Sequence, residues 1–443
     1  MKLTRGLTRV LKRPFAFLDF HGHPSHYSTH GLHPFPARFP PQLAKWAIEE
    51  FSTARDIVLD PFAGSGTTLV EARLAGRTAI GCDIDPLSVL LSTTKATPVR
   101  DRTLCHDADS LVRAVEEAFA EFRLANPRCH QRKHVPDVVT ANGFTVRPLD
   151  FPGRDYWFHP KAVMELSLLC QIIHTKAARR LQRIANVSMS GIIIAKEKTS
   201  VAHVADLVHT RPHYRYKERP PDADFLFIAR LRACVEALRE FTLHVNRRDR
   251  TEVARKDARN LGGIGTESID LILTSPPYMN ALDYPRAHKF SLVWLGLSYE
   301  KYRQLLPGFL GHPNKQISRW PLLAGRKQAV EEIEDCVSTL LQASLESASL
   351  AREYFLDMEV VLKEMRRVLK RKHQCVMVLG GSTLSGEAID TPYLVRELAN
   401  SVGFVEVACC RRSLDKSKRA LPFGHGGCNG GLKHEDVVVL EKR

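Results

Sequence analysis

Two stretches concentrate the residue types that can hold a ligand and rearrange electrons: Asp60-Pro61-Phe62-Ala63-Gly64-Ser65-Gly66-Thr67, and Ser275-Pro276-Pro277-Tyr278. In the first, glycines let the backbone turn tightly and come close to a ligand. Asp83 lies 19 residues beyond Gly64, where a carboxylate can accept both hydroxyls of a ribose. Position 69 is Leu, so the third glycine of the dinucleotide fingerprint is missing. Asp60 would repel a phosphate and welcome an ammonium group. The pattern suits a nucleoside carrying an amino acid, as in S-adenosylmethionine. The plainer reading is an ordinary tight turn between strand and helix.

The second stretch ends an apolar run, Leu271–Thr274, with two prolines. Proline has no N–H to give a sheet ladder and restricts the residue before it. The carbonyls around Pro276 therefore remain as rigid acceptors beside the Ser275 hydroxyl, which is what preorganised polar catalysis needs. Tyr278 adds a flat face for a planar base. These parts suit an exocyclic amino group. Its lone pair is delocalised into the ring, and acceptors on its two N–H bonds pull it toward a pyramidal, nucleophilic geometry. Direct attack on a methyl sulfonium then needs no covalent enzyme intermediate, and the base must first leave the duplex. The plainer reading is a strand followed by a Pro-rich loop.

The elements that would position these groups read as follows. Residues 57–60 are a short buried strand, Thr67–Leu74 a helix, and Thr78–Cys82 a second strand ending at Asp83. Asp85 can cap the next helix, with Pro86 at its first position. Long helical patterns follow over His159–Ala178 and Asp224–Val245. Between them lies TRPHYRYKERPP, a basic loop with interleaved aromatics that includes Arg215, Lys217 and Arg219. Strand signals resume at Thr251–Ala254 and Ile269–Thr274. Residues 326–370 are largely helical by pattern. Then come a strand at 375–381, a helix at 391–404, and two strands around VEVACC and DVVVLEK that suit an antiparallel pair. The expected fold is α/β: a Rossmann-like sheet with an antiparallel C-terminal strand pair and a mostly helical insertion. Residues 1–110 and 246–443 would form the catalytic domain. Residues 111–245 would be inserted.

The chain has 443 residues, with 44% hydrophobic and 26% charged, ordinary values for a globular protein. Its net charge of +15 suits a polyanion, with nucleic acid leading. No apolar run is long enough for a membrane span. The basic N-terminus lacks a signal-peptide core, so a cytoplasmic, nucleoid-associated location is expected. The 10 cysteines form no CxxC pair and read as reduced thiols. Five histidines, at 21, 23, 26, 30 and 33, come without an accompanying Cys or acidic cluster, and no metal site is expected.

Taken together, Asp60–Gly66 and Ser275-Pro-Pro-Tyr278 resemble the prokaryotic amino-directed DNA methyltransferases, which make N4-methylcytosine or N6-methyladenine. Residues 31–43 resemble the element near the methionine end of the cofactor. Asp257-Ala-Arg259 resembles the acidic turn that contacts the adenine. Residues 274–296 resemble the strand and helix of one prokaryotic branch, and EMRRVLK the helix before the fifth strand. The resemblance implies S-adenosylmethionine as cofactor, held by Asp60, Phe62, Ala63, Gly64, Ser65, Gly66, Thr67, Asp83 and Asp257. It implies catalysis at Ser275, Pro276, Pro277 and Tyr278. Double-stranded DNA is the implied partner, with room for a cognate restriction endonuclease or a defence-system partner. The region between the two motifs would read the target. Asp257 departs from the pattern, because it follows the insertion where the family would put it before. Ser at 275 favours cytosine N4, since the adenine enzymes more often carry Asp or Asn there. An N6-adenine enzyme, an RNA base amino-methyltransferase and a non-catalytic nucleic-acid binder that keeps the cofactor are the alternatives. C5 methylation would need a Pro-Cys nucleophile, which the chain lacks.

Overall fold

Seven strands form one sheet: β1 (Ile57–Asp60), β2 (Thr78–Asp83), β3 (Thr251–Arg255), β4 (Ile269–Thr274), β5 (Leu369–Gly380), β6 (Phe404–Ser413) and β7 (His434–Lys442). Their spatial order is β6-β7-β5-β4-β1-β2-β3. All neighbours pair in parallel except at β7, which runs antiparallel to both β5 and β6. The computed structural model describes residues 18–99, 103–194, 200–203, 220–246, 248–279, 283–311, 330–414 and 432–443. No helix among them is long and apolar enough to cross a membrane.

The central strands are buried on both faces, which is why they read as continuous apolar runs. Successive side chains alternate between two cores. Val376, Val378, Val437 and Val439 join the core under the helices Pro41–Phe51 and Thr67–Leu74. Cys375, Met377, Leu379 and Val438 join the core under Leu345–Val368 and Thr391–Ser401. β5 begins earlier than expected, at Leu369. The register jumps from the Ile269–Leu369 pair to Leu271–Gln374, and Lys372 sits at φ +60 in the bulge between them.

The helices Leu104–Ala125, Pro160–Lys176, Arg179–Ile193 and Ala223–His244 pack around a third core of their own. That core also takes Phe290, Val293 and Trp294 from the helix Tyr284–Trp294, which follows the Ser-Pro-Pro-Tyr stretch. A two-stranded ribbon, Val139–Ala141 with Phe144–Val146, completes the block. β3 comes after this block in sequence yet pairs with β2 at the sheet edge. Asp257 therefore emerges beside Asp83, which accounts for its late position in the chain.

Candidate active site

The chain runs outward from β1 to β2 and β3, then crosses to the other side of β1 to make β4. Carboxyl strand ends at such a switch point leave a crevice. Here the crevice brings the two sequence motifs together. Asp60, at the end of β1, is 2% exposed. Its Oδ1 accepts from Thr274 Oγ1 at 2.6 Å and from Phe62 N at 3.0 Å. Burial pushes its carboxyl up to about 6 despite those donors. Gly66 precedes the helix Thr67–Leu74 in a left-handed conformation, φ +85. The missing third glycine is answered from the strand side. A Cβ on Gly81 of β2 would stand 2.6 Å from Leu69 Cδ1, so the strand carries the small residue that allows close helix packing.

Both Asp83 oxygens are oriented by backbone: Oδ2 accepts from Gly64 N at 2.8 Å and Oδ1 from Asp85 N at 2.9 Å. Burial, and then the neighbouring Asp85 charge, push its carboxyl up to about 7. Asp257 accepts from Arg259 N at 2.9 Å. Arg259 also bonds Asp357 at 2.9 Å and the Gly308 carbonyl at 3.0 Å, which ties the 308–310 segment to the crevice.

A cavity of about 850 Å³ joins these groups. Of the sequence-predicted residues, Asp60, Phe62, Ala63, Gly64, Ser65, Thr67, Asp83, Asp257, Ser275 and Pro277 line it. Gly66, Pro276 and Tyr278 are not among its walls. Arg215, Lys217 and Arg219 lie outside the described residues. Phe35, Arg38 and Phe39, from the 31–43 element, close one side. Of the histidines in that region, His30 bonds the buried Glu71 at 2.7 Å and His33 bonds Ser190 Oγ at 2.8 Å.

Ser275 Oγ donates to the Val378 carbonyl of β5 at 3.0 Å. That bond orients the hydroxyl, which also lies within hydrogen-bond reach of the Tyr278 phenol. The Pro277 carbonyl accepts from the Tyr354 hydroxyl at 3.2 Å, while the Pro276 carbonyl has no hydrogen-bond partner among the described residues. Tyr278 follows Pro277 just outside the cavity wall. Its hydroxyl donates to Glu435 Oε1 at 2.9 Å, and its ring edge lies on Gly380. Burial and the Glu435 charge raise the phenol well above its ordinary value.

Several neighbours were not predicted as site residues. Ile84, Lys256, Tyr284, Phe309 and Leu310 line the cavity. Asp85, expected only as a helix cap, does cap through Leu87 N at 2.8 Å, and its other oxygen holds buried His288 Nδ1. His288 in turn stacks near Phe35, ring centres 5.0 Å apart. Ile84 and Asp85 adjoin a predicted ligand residue, a usable signal. Phe309 and Leu310 had none.

The cavity wall carries four carboxylates, Asp60, Asp83, Asp85 and Asp257, against two cations, Arg38 and Lys256. That balance fits a ligand bearing positive charge and disfavours a pyrophosphate. An acidic crevice of this kind on a sheet of this order is the arrangement of the Rossmann-like methyltransferase fold. Residues 7–92 match the family model described as DNA methylase. The chain is 24% identical over 393 residues to the Type II methyltransferase M.MvaI of Kocuria varians, covering 84% of this chain and 80% of that one. It is 23% identical to M.BsoBI of Geobacillus stearothermophilus, covering 85% and 79%, and 22% identical to M.MjaII of Methanocaldococcus jannaschii, covering 73% and 71%. Along most of its length the chain is thus similar to prokaryotic Type II methyltransferases.

Proposed function

We propose that the protein methylates the exocyclic N4 of a cytosine flipped out of double-stranded DNA at a specific short site. The observation that carries this reading is the Ser275 hydroxyl. Because its proton goes to Val378, it meets the base as a neutral acceptor. Ser275 Oγ and the Pro276 carbonyl take the two amino hydrogens and localise the nitrogen lone pair. Tyr278, locked by Glu435, supports the base. When bound, S-adenosylmethionine would supply an electrophilic methyl group; as the amino nitrogen bonds to it the S–CH3 bond breaks, S-adenosylhomocysteine leaves, and one amino proton passes to solvent. Asp83 and Asp257 hold the nucleoside end, and Asp60 faces the ammonium end. The helical block over 111–245 reads the target sequence.

Sequencing of modified bases in DNA exposed to the enzyme tests this. N4-methylcytosine at one short motif is the expected outcome. N6-methyladenine there would select the adenine alternative. Methyl transfer to RNA with none to DNA would replace both.

The two raised carboxyls give a pH prediction. Asp60 near 6 and Asp83 near 7 hold protons more tightly in the folded chain than at the ordinary 3.8. Without cofactor, the stability these groups contribute is therefore full below about pH 4 and is lost as pH rises through 6 to 7. Cofactor binding has the opposite sign, because an ammonium and ribose hydroxyls need ionised carboxylates. The rise in Tm caused by S-adenosylmethionine should be larger at about pH 8 than at about pH 5.5. An equal rise at both would remove these roles from Asp60 and Asp83.

A further inference from the structure

A second cavity of about 860 Å³ lies in the helical block, away from the cofactor crevice. The two are linked by one element. Tyr284, at the start of the helix Tyr284–Trp294, lines the first, and Val293 and Trp294, at its end, line the second. Eleven helical residues span about 16 Å.

Three residues with amide side chains line this second cavity. Gln171 comes from the helix Pro160–Lys176, while Gln182 and Asn186 sit one turn apart on Arg179–Ile193. None of the three makes a side-chain hydrogen bond among the described residues, so their capacity is unspent. An amide presents a donor and an acceptor side by side, the pattern that matches a base edge. Buried Ile173, Met189 and Val293 give an apolar floor. Arg147 is exposed at the rim, and no Asp or Glu lines the cavity, so an anionic backbone meets no opposing charge.

We infer that this cavity takes a nucleotide of the target DNA beyond the methylated base, with Gln171, Gln182 and Asn186 on the base edge and Arg147 on its phosphate. The inference rests on the DNA methyltransferase reading and assigns the place where sequence is read.

The test is the methylation profile of a randomised DNA library with the full chain and its Gln182→Ala/Asn186→Ala variant. The variant should keep its S-adenosylmethionine affinity and Tm. It should lose about tenfold of its preference at one position of the site and keep the others. Should the double variant fail to fold, each single substitution is profiled for the same loss. Arg147→Ala should weaken DNA binding with the profile unchanged. An active wild type whose profile is unaltered in the variants, or whose rate falls equally on all sequences, overturns this inference alone. A wild type that binds cofactor and leaves all DNA unmodified overturns the DNA reading and this inference with it. Calorimetry with free deoxynucleoside monophosphates separates the sources. Binding of a free nucleotide that Gln182→Ala abolishes, with no change in profile, would assign the cavity to a small molecule and overturn the DNA assignment.

Discussion

Ser275→Ala is expected to lower kcat on DNA by roughly a hundredfold while leaving cofactor affinity nearly unchanged. A hundredfold is about 2.7 kcal/mol of transition-state stabilisation, the scale lost when one preorganised polar group is removed from a reacting centre. The reason lies in how the hydroxyl is held. Its proton is fixed on the Val378 carbonyl at 3.0 Å, so Oγ is oriented before any base arrives. Alanine removes the acceptor and also strips that carbonyl of a donor. The residues proposed to hold the cofactor's nucleoside end, Asp83 and Asp257, stand elsewhere in the crevice, at the ends of β2 and β3. Single-turnover methylation and calorimetric titration with S-adenosylmethionine separate the two effects. A variant with full kcat would remove Ser275 from the chemistry. One with parallel loss of cofactor binding would make it a structural residue of the crevice.

Much of the crevice was legible because it is built from local signals. β1 and β4 have the expected bounds, since each is a run of apolar residues closed by a residue that cannot continue the strand. Asp60, Gly64 and Asp83 sit within one strand–helix–strand unit, so their spacing already encodes their proximity. Asp257 was legible as a residue but not as a neighbour. Only the pairing of β3 with β2, across the whole helical block, brings it beside Asp83. The same limit hid Glu435. It lies 157 residues from Tyr278, and nothing in either local pattern states that β7 slides in between β5 and β6. Leu69 was read as a departure from a fingerprint, while its compensation, Gly81, stood on another element. Register between distant strands, unlike strand existence, leaves no periodic trace.

Gly380 gives the sharpest test of that hidden register. It is paired with Glu435 across β5 and β7, so the residue under the Tyr278 ring and the residue that accepts its hydroxyl are neighbours in one ladder. A Cβ on Gly380 would lie 2.6 Å from Tyr278 Cε2 and 2.8 Å from Leu432 Cδ2. The Gly380 backbone lies outside the left-handed region, so alanine fits the chain and the whole effect falls on the side chains above it. Overpacking of this kind costs about 1–3 kcal/mol in stability. If the ring relieves it by leaving Glu435, the aromatic support proposed for the base is disturbed. Gly380→Ala should therefore cut methylation by roughly a hundredfold at unchanged cofactor affinity, with Tm lowered by several degrees. Because both changes act through one ring, Tyr278→Ala combined with Gly380→Ala should be no slower than Tyr278→Ala alone. Additive losses in that double-mutant cycle, or a wild-type rate in Gly380→Ala, would show that the Tyr278 position seen here is not the one used in methyl transfer.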